Sequence, residues 1–276
     1  MFLGLVMIIG ACLLAYPTVS DWYNSMHQSR AITNYVASVG KLDDTDYEAL
    51  WQAAREYNEY LTGKDVPLFV EEEELEWYES LLNVAGNGIM GYVDIPKIKV
   101  ELPIYHGTSD AVLQVAVGHL EGTSLPTGGE TNHTVLSGHT GLPKAVLFTN
   151  LTELKEKDIF MLSVLNETLT YEIDQIKVVL PEETEELEIV PGKDYCTLVT
   201  CTPYGVNSHR LLIRGHRIPN LPVEEVEEIK PVVTAITTPK EKNLPLLAAC
   251  AVAALILLLA LVIKMFRIKK KKKKKR

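Results

Sequence analysis

Residues 197–217 read TLVTCTPYGVNSHRLLIRGHR: two β-rich runs around a turn-forming segment, whose pairing decides how the rest of the chain is read. Residues 195–201, rich in Thr, Val, Leu and Tyr, predict one strand, and residues 210–214 predict the strand that returns. Between them Thr202-Pro203-Tyr204-Gly205 is a turn signal. Cys196 and Cys201 are five positions apart, so a strand points them to opposite faces about 16 Å from each other. A disulfide needs Cα atoms within about 7 Å, so these two do not pair. Cys201 closes its strand at the turn, where a side chain is presented at a sheet rim, and Arg210 opens the next strand nine residues later. Antiparallel pairing could set a guanidinium beside the sulfur, where a cation favours a thiolate and stabilises an oxyanion. The competing reading, a small buried hydrophobe, is common for strand cysteines and suits Cys196.

Working outward, residues 92–95 and 134–137 predict further short strands, and residues 159–165 and 169–176 a hairpin around Asn166-Glu167. Many short strands between glycines and prolines make the chain mostly β over residues 90–218, as a sandwich or a closed barrel. His139, in Ser137-Gly138-His139-Thr140-Gly141, ends one of these strands, and its flanking glycine lets a ligand approach. Residues 21–89 form a helical N-terminal region. Residues 43–61 carry Tyr47, Leu50, Trp51, Ala54, Tyr57 and Leu61 at helical spacing, with Thr45 and Glu48 spaced as a capping box. Residues 71–84 predict a second helix, with acids at its positive end. Residues 65–69 between the two are a loop.

The two ends differ in kind. Residues 244–263 are twenty residues without a charge, enough at 1.5 Å per residue to cross roughly 30 Å of hydrocarbon as a transmembrane helix. Residues 264–276 carry ten of the chain's 27 basic residues and no acid, the composition of a cytoplasmic tail beside anionic lipid. The net charge of −9 therefore divides: residues 1–263 hold the other 17 basic residues against all 36 acids, about −19. A domain so acidic is a poor binder of nucleic acid. Residues 219–243, with four prolines among acids and threonines, read as a stalk. Residues 1–20 are apolar over about fifteen positions and read as an N-terminal membrane anchor or a signal segment, leaving residues 21–243 outside the membrane.

No C-x₂-C or H-E-x-x-H spacing supports a metal, and none is expected; nor is any other cofactor. His119 and His216 read as structural, His209 as an exposed loop histidine, and the acidic run at 182–188 as a solvated loop. The Thr197-Leu198-Val199-Thr200-Cys201 run matches the T-L-x-T-C signature of sortases, cysteine transpeptidases of Gram-positive bacteria. Residues 197–217, with Leu136-Ser137-Gly138-His139, GHLEGTSLP at 118–126 and MGYVDIPK at 90–97, resemble the pilus-building class C sortases in particular. This resemblance implies a closed eight-stranded β-barrel between two terminal membrane segments. By similarity Cys201 is the nucleophile, His139 its proton-transfer partner and Arg210 the oxyanion or substrate clamp. The implied chemistry is cleavage of an LPxTG-like sorting signal between Thr and Gly, with the acyl group passed to a lysine amine of a pilin subunit at the cell surface.

Class C sortases usually carry a lid with an Asp-Pro-aromatic anchor. Here the nearest run is Asp65-Val66-Pro67-Leu68-Phe69, with Pro displaced and two extra residues before the aromatic. Asp65 reaching Arg210 and Phe69 covering Cys201 would make residues 63–70 a lid. Two other classes stay open: a membrane-anchored surface receptor or adhesin without enzymatic activity, and an exported hydrolase that gives the same acyl-enzyme to water.

Overall fold

A computed structural model describes residues 2–67 and 70–220 of the chain. Its strands are β1 (Ile89–Ile95), β2 (Val100–His106), β3 (Val117–His119), β4 (Asn132–Ser137), β5 (Ile159–Val164), β6 (Glu167–Val179), β7 (Asp194–Thr202) and β8 (His209–Ile218). They close into a barrel in the order β1-β2-β3-β4-β7-β8-β6-β5. Two neighbouring pairs, β2–β3 and β4–β7, are parallel. Parallel neighbours need a crossover. The first crossover contains a short helix, α4 (Asp110–Leu113), and the second contains the β5–β6 hairpin.

Alternation along each strand sorts side chains between the barrel interior and its outer face. On β7, Cys196 and Leu198 join the main core with Leu136 of β4 and Leu211 and Ile213 of β8. Thr197, Val199 and Cys201 take the opposite face. Phe160 and Tyr171 stack with ring centroids 5.5 Å apart. Gly215 makes room for them, since a Cβ there would lie 2.8 Å from the Phe160 ring.

β2 and β3 are the two strands that the sequence does not announce. β2 contains Pro103, and β3 has only three residues. β3 is held by its pairing with β2 and β4, and only glycine fits at 118, where a Cβ would lie 2.2 Å from the carbonyl oxygen of Gly107.

Three helices precede the barrel: α1 (Phe2–Val39), α2 (Asp44–Leu61) and α3 (Glu72–Ser80). α2 buries Trp51, Ala54, Tyr57 and Leu61 of the predicted stripe, while Tyr47 and Leu50 are only partly buried against the same core. Its capping box is formed by Asp43 and Asp46, not by Thr45 and Glu48, because Asp43 holds the extended backbone from which a side chain can reach N3. α3 ends four residues before position 84. Leu81 turns extended there, and both Leu81 and Leu82 enter the core.

Buried hydrogen bonds fasten the helices to the barrel. Asn58 donates to the Leu125 carbonyl, Thr127 Oγ1 and Asn132 Oδ1, and accepts from the Leu125 N–H at 2.7 Å. Tyr35 donates to the Met90 carbonyl and accepts from the Leu165 N–H.

Of the described residues, 20–220 fall in one compact unit and 2–19 in another. Among the described residues no helix is long and apolar enough to cross a membrane. The predicted N-terminal segment is helical, but its apolar run of about fifteen residues stops short of the roughly twenty that a span requires. The predicted stalk beyond Asn220, the transmembrane helix at 244–263 and the basic tail lie outside the described residues.

Candidate functional site

β7 and β8 pair antiparallel with Cys201 directly opposite Arg210. Opposite residues share a face, with Cβ atoms about 5 Å apart. Both side chains are half-buried, at the end of the barrel where the β7–β8 turn leaves Tyr204 exposed. Arg210 is braced from its own turn, donating through Nη1 to the carbonyls of Asn207 and His209. Cys196 and Cys201 are both unpaired. Burial pushes the Cys196 thiol well above its usual range, which keeps it protonated and unreactive.

β4 runs parallel to β7, with Ser137 opposite Val199. Just past that pair, the Gly138 N–H donates to the Val199 carbonyl at 3.0 Å, and the Thr200 hydroxyl donates to the Gly138 carbonyl at 2.7 Å. The residue before His139 is thus tied to the residues before Cys201, so both side chains leave the same end of adjacent strands. The half-buried His139 ring makes no hydrogen bond among the described residues. Gly138 is required there, because a Cβ would meet the Phe148 ring at 2.7 Å.

The other threonine of the TLVTC run works on the outer face. Thr197 Oγ1 lies 2.8 Å from Nε2 of His133, whose Nδ1 faces the Glu188 carbonyl. Burial lowers the His133 pKa to about 4, so the ring is neutral and donates from only one nitrogen. His119 is fully buried, held between the Tyr78 hydroxyl and the Ser124 carbonyl, and burial lowers it to about 3. Both roles are structural. Neither the His133 nor the Thr200 contact is visible in the sequence, since each joins residues more than 60 positions apart.

Beside Cys201 the outer face of β4, β7 and β8 forms an apolar floor of Val135, Val199 and Leu212, flanked by Leu187. Val66, in the loop after α2, packs against this floor, and a Cβ on Gly122 would lie 2.5 Å from Pro67. Asp65 is exposed. Ion pairs among the described residues include Lys97–Asp158, Lys177–Glu186 and Arg214–Asp174, and none is seen there between Asp65 and Arg210. Phe69 lies outside the described residues. In the acidic run, Glu186 is engaged by Lys177 and Gln175 and Leu187 is buried. No cluster able to hold a metal ion occurs among the described residues.

Residues 93–218 match the family description "Sortase domain". The crystal structure of sortase C1 from Streptococcus agalactiae is 51% identical, with a TM-score of 0.68, over 70% of this chain and 100% of that one. The chain belongs to the sortase family. Sortase C of Streptococcus pneumoniae, whose crystal structure is described as giving insight into catalysis and pilin substrate specificity, is 42% identical. Its TM-score is 0.61, over 70% of this chain and 99% of that one. Among curated relatives, sortase A of Streptococcus agalactiae serotype III is 33% identical over 118 residues, 41% of this chain. The match spans about half of that relative, 47% of its length. The sortase thus resembles these class C members over 70% of its length, whereas its likeness to that sortase A covers 41%.

Proposed function

We propose that this sortase is a membrane-anchored cysteine transpeptidase that polymerises pilin subunits. The observation that carries the reading is the cross-strand pairing of Cys201 with Arg210 beside the strand end that bears His139. The Cys201 thiolate attacks the carbonyl carbon of Thr in an LPxTG-like signal, and Arg210 stabilises the oxyanion that forms. The C–N bond to Gly breaks as His139 gives a proton to the departing amine. A lysine amine of the next subunit then attacks the thioester. His139 takes its proton, the C–S bond breaks, and the thiolate is regenerated.

Membrane anchoring rests on the uncharged run at 244–263 with its basic tail, and on Leu13 and Leu14 of α1, which are 69% and 85% exposed. In this arrangement the barrel lies outside the cell and the basic tail in the cytoplasm. The loop carrying Val66 serves as a lid over the apolar floor beside Cys201. Val66 is its anchor in place of the family's Asp-Pro-aromatic run, and Asp65 and Phe69 flank that anchor.

Intact-mass analysis of the enzyme with an LPxTG-type peptide tests this reading. A peptide acyl adduct is expected on the wild type and not on Cys201→Ala. Binding without any adduct on the wild type would instead favour the receptor class.

A further inference from the structure

We infer that Asp21 and Asn24 of α1 are positioning residues for His139, clamping the loop that carries it; the inference rests on the role proposed above for His139. Residues 138–148 leave β4 with no strand to hold them. The loop closes on itself where the Phe148 N–H donates to the His139 carbonyl at 3.1 Å and the Gly141 N–H donates to Thr149 Oγ1 at 3.0 Å. Its far side, 144–146, receives two bonds from a segment some 120 residues earlier. Asn24 Nδ2 donates to the Lys144 carbonyl at 2.7 Å, and Asp21 Oδ1 accepts from the Val146 N–H at 3.1 Å.

The two side chains are three apart and share a helical face. Gln28, four further on, donates to the Val115 carbonyl in a different loop. The clamped loop holds Leu147 at φ +40 and packs Ala145, Leu147 and Phe148 into the core. A left-handed leucine persists only where its surroundings over-determine it. Phe148 also lies against Gly138, so its ring and its N–H touch both residues at the strand end that aims His139. Releasing the far side lets this unit shift, and small displacements of a proton-transfer group are costly in rate.

The test breaks the two bonds in turn. Asp21→Ala removes the acceptor of the Val146 N–H and is expected to lower kcat severalfold with KM within about twofold; an unchanged kcat would remove Asp21 from the clamp. Asn24→Asp sets an acceptor against the Lys144 carbonyl; it is expected to lower kcat about tenfold with KM within about twofold. Gln28→Ala breaks the same kind of bond to the other loop and is expected to leave kcat unchanged. In parallel, site-resolved mass spectrometry follows iodoacetamide alkylation of Cys201, which needs no turnover. His139→Ala and Asn24→Asp are each expected to slow it, and Asn24→Asp is expected to add nothing in the His139→Ala background. If His139→Ala slows alkylation but Asn24→Asp does not, or if the two losses add, the clamp is overturned and the catalytic reading stands. If Gln28→Ala matches Asn24→Asp, the contacts serve helix docking alone and the clamp is overturned. If His139→Ala changes neither kcat nor alkylation, the role of His139 falls and the clamp falls with it.

Discussion

Thr197 and Thr200 are three apart on one strand and leave it on opposite faces, and each uses its hydroxyl differently. Thr200 bonds the Gly138 carbonyl and so sets the distance between two strand ends, while Thr197 meets the neutral ring of His133. Cys201 and Arg210 are legible in the sequence because strand, turn and return strand are all local. The contacts of the threonines are not, because the barrel's closure supplies the partners. Buried histidines give the residue scale its pH dependence. Burial holds His133 near 4 and His119 near 3, and lowers His106 as well. Between about pH 4 and the unfolded value near 6.5, the unfolded chain binds protons that the native state does not. Stability is therefore full above that window and falls as pH drops through it, by up to about 1.4 kcal/mol per pH unit for each histidine. Asp194, whose pKa burial pushes up, acts in the opposite sense. Urea midpoints are expected to fall from neutral pH to pH near 5, and less steeply in His133→Gln; midpoints independent of pH would contradict the assignment.

At the scale of elements, α2 shows how an amphipathic stripe is readable while its polar anchor is not. Trp51, Ala54, Tyr57 and Leu61 announce the buried face, but Asn58 on the same face has no apolar reason to be there. It is explained only by the Leu125–Asn132 segment that folds over it. Asn58→Ala leaves several buried groups without a partner, so a loss of about 3 kcal/mol is expected, seen as a lower urea midpoint at unchanged m. The loop after α2 supplies a second prediction. Val66 packs half-buried on the floor formed by Val135, Val199 and Leu212, a contact worth about 1 kcal/mol, and a charge placed there adds a desolvation cost. Val66→Asp is therefore expected to speed thiol labelling of Cys201 about tenfold; an unchanged rate would remove Val66 as the lid's anchor. The sequence pointed to Asp65 and Phe69 because the family pattern drew attention to the charge and the ring. In the described loop, the aliphatic residue between them makes the apolar contact.

Across the whole molecule, strand spacing and turn residues carried the barrel's class, whereas its closure came from parts of the chain that leave no local trace. The β4–β7 pairing brings residues 132–137 beside 194–199 across a crossover that contains its own hairpin. Two parallel pairs and a three-residue strand have no periodicity by which to be recognised. The proposed two-compartment arrangement is read from charge and hydropathy alone: 17 basic residues stand against 36 acids before residue 264, and ten basic residues follow. A thioester exposed to water can be hydrolysed or aminolysed, and a pilin-joining enzyme must favour the amine. Arg210→Ala should lower formation of the acyl-enzyme roughly 100-fold, measured by rapid-quench mass spectrometry, and a rate near wild type would separate Arg210 from the oxyanion. The most direct measurement is product analysis by mass spectrometry: the wild-type enzyme with an LPxTG-type peptide, with and without a lysine amine. The amine is expected to divert product from the free acid to a new amide ending at the signal's Thr, and Cys201→Ala to form neither. Free acid alone at every amine concentration would make the protein a hydrolase and contradict the account.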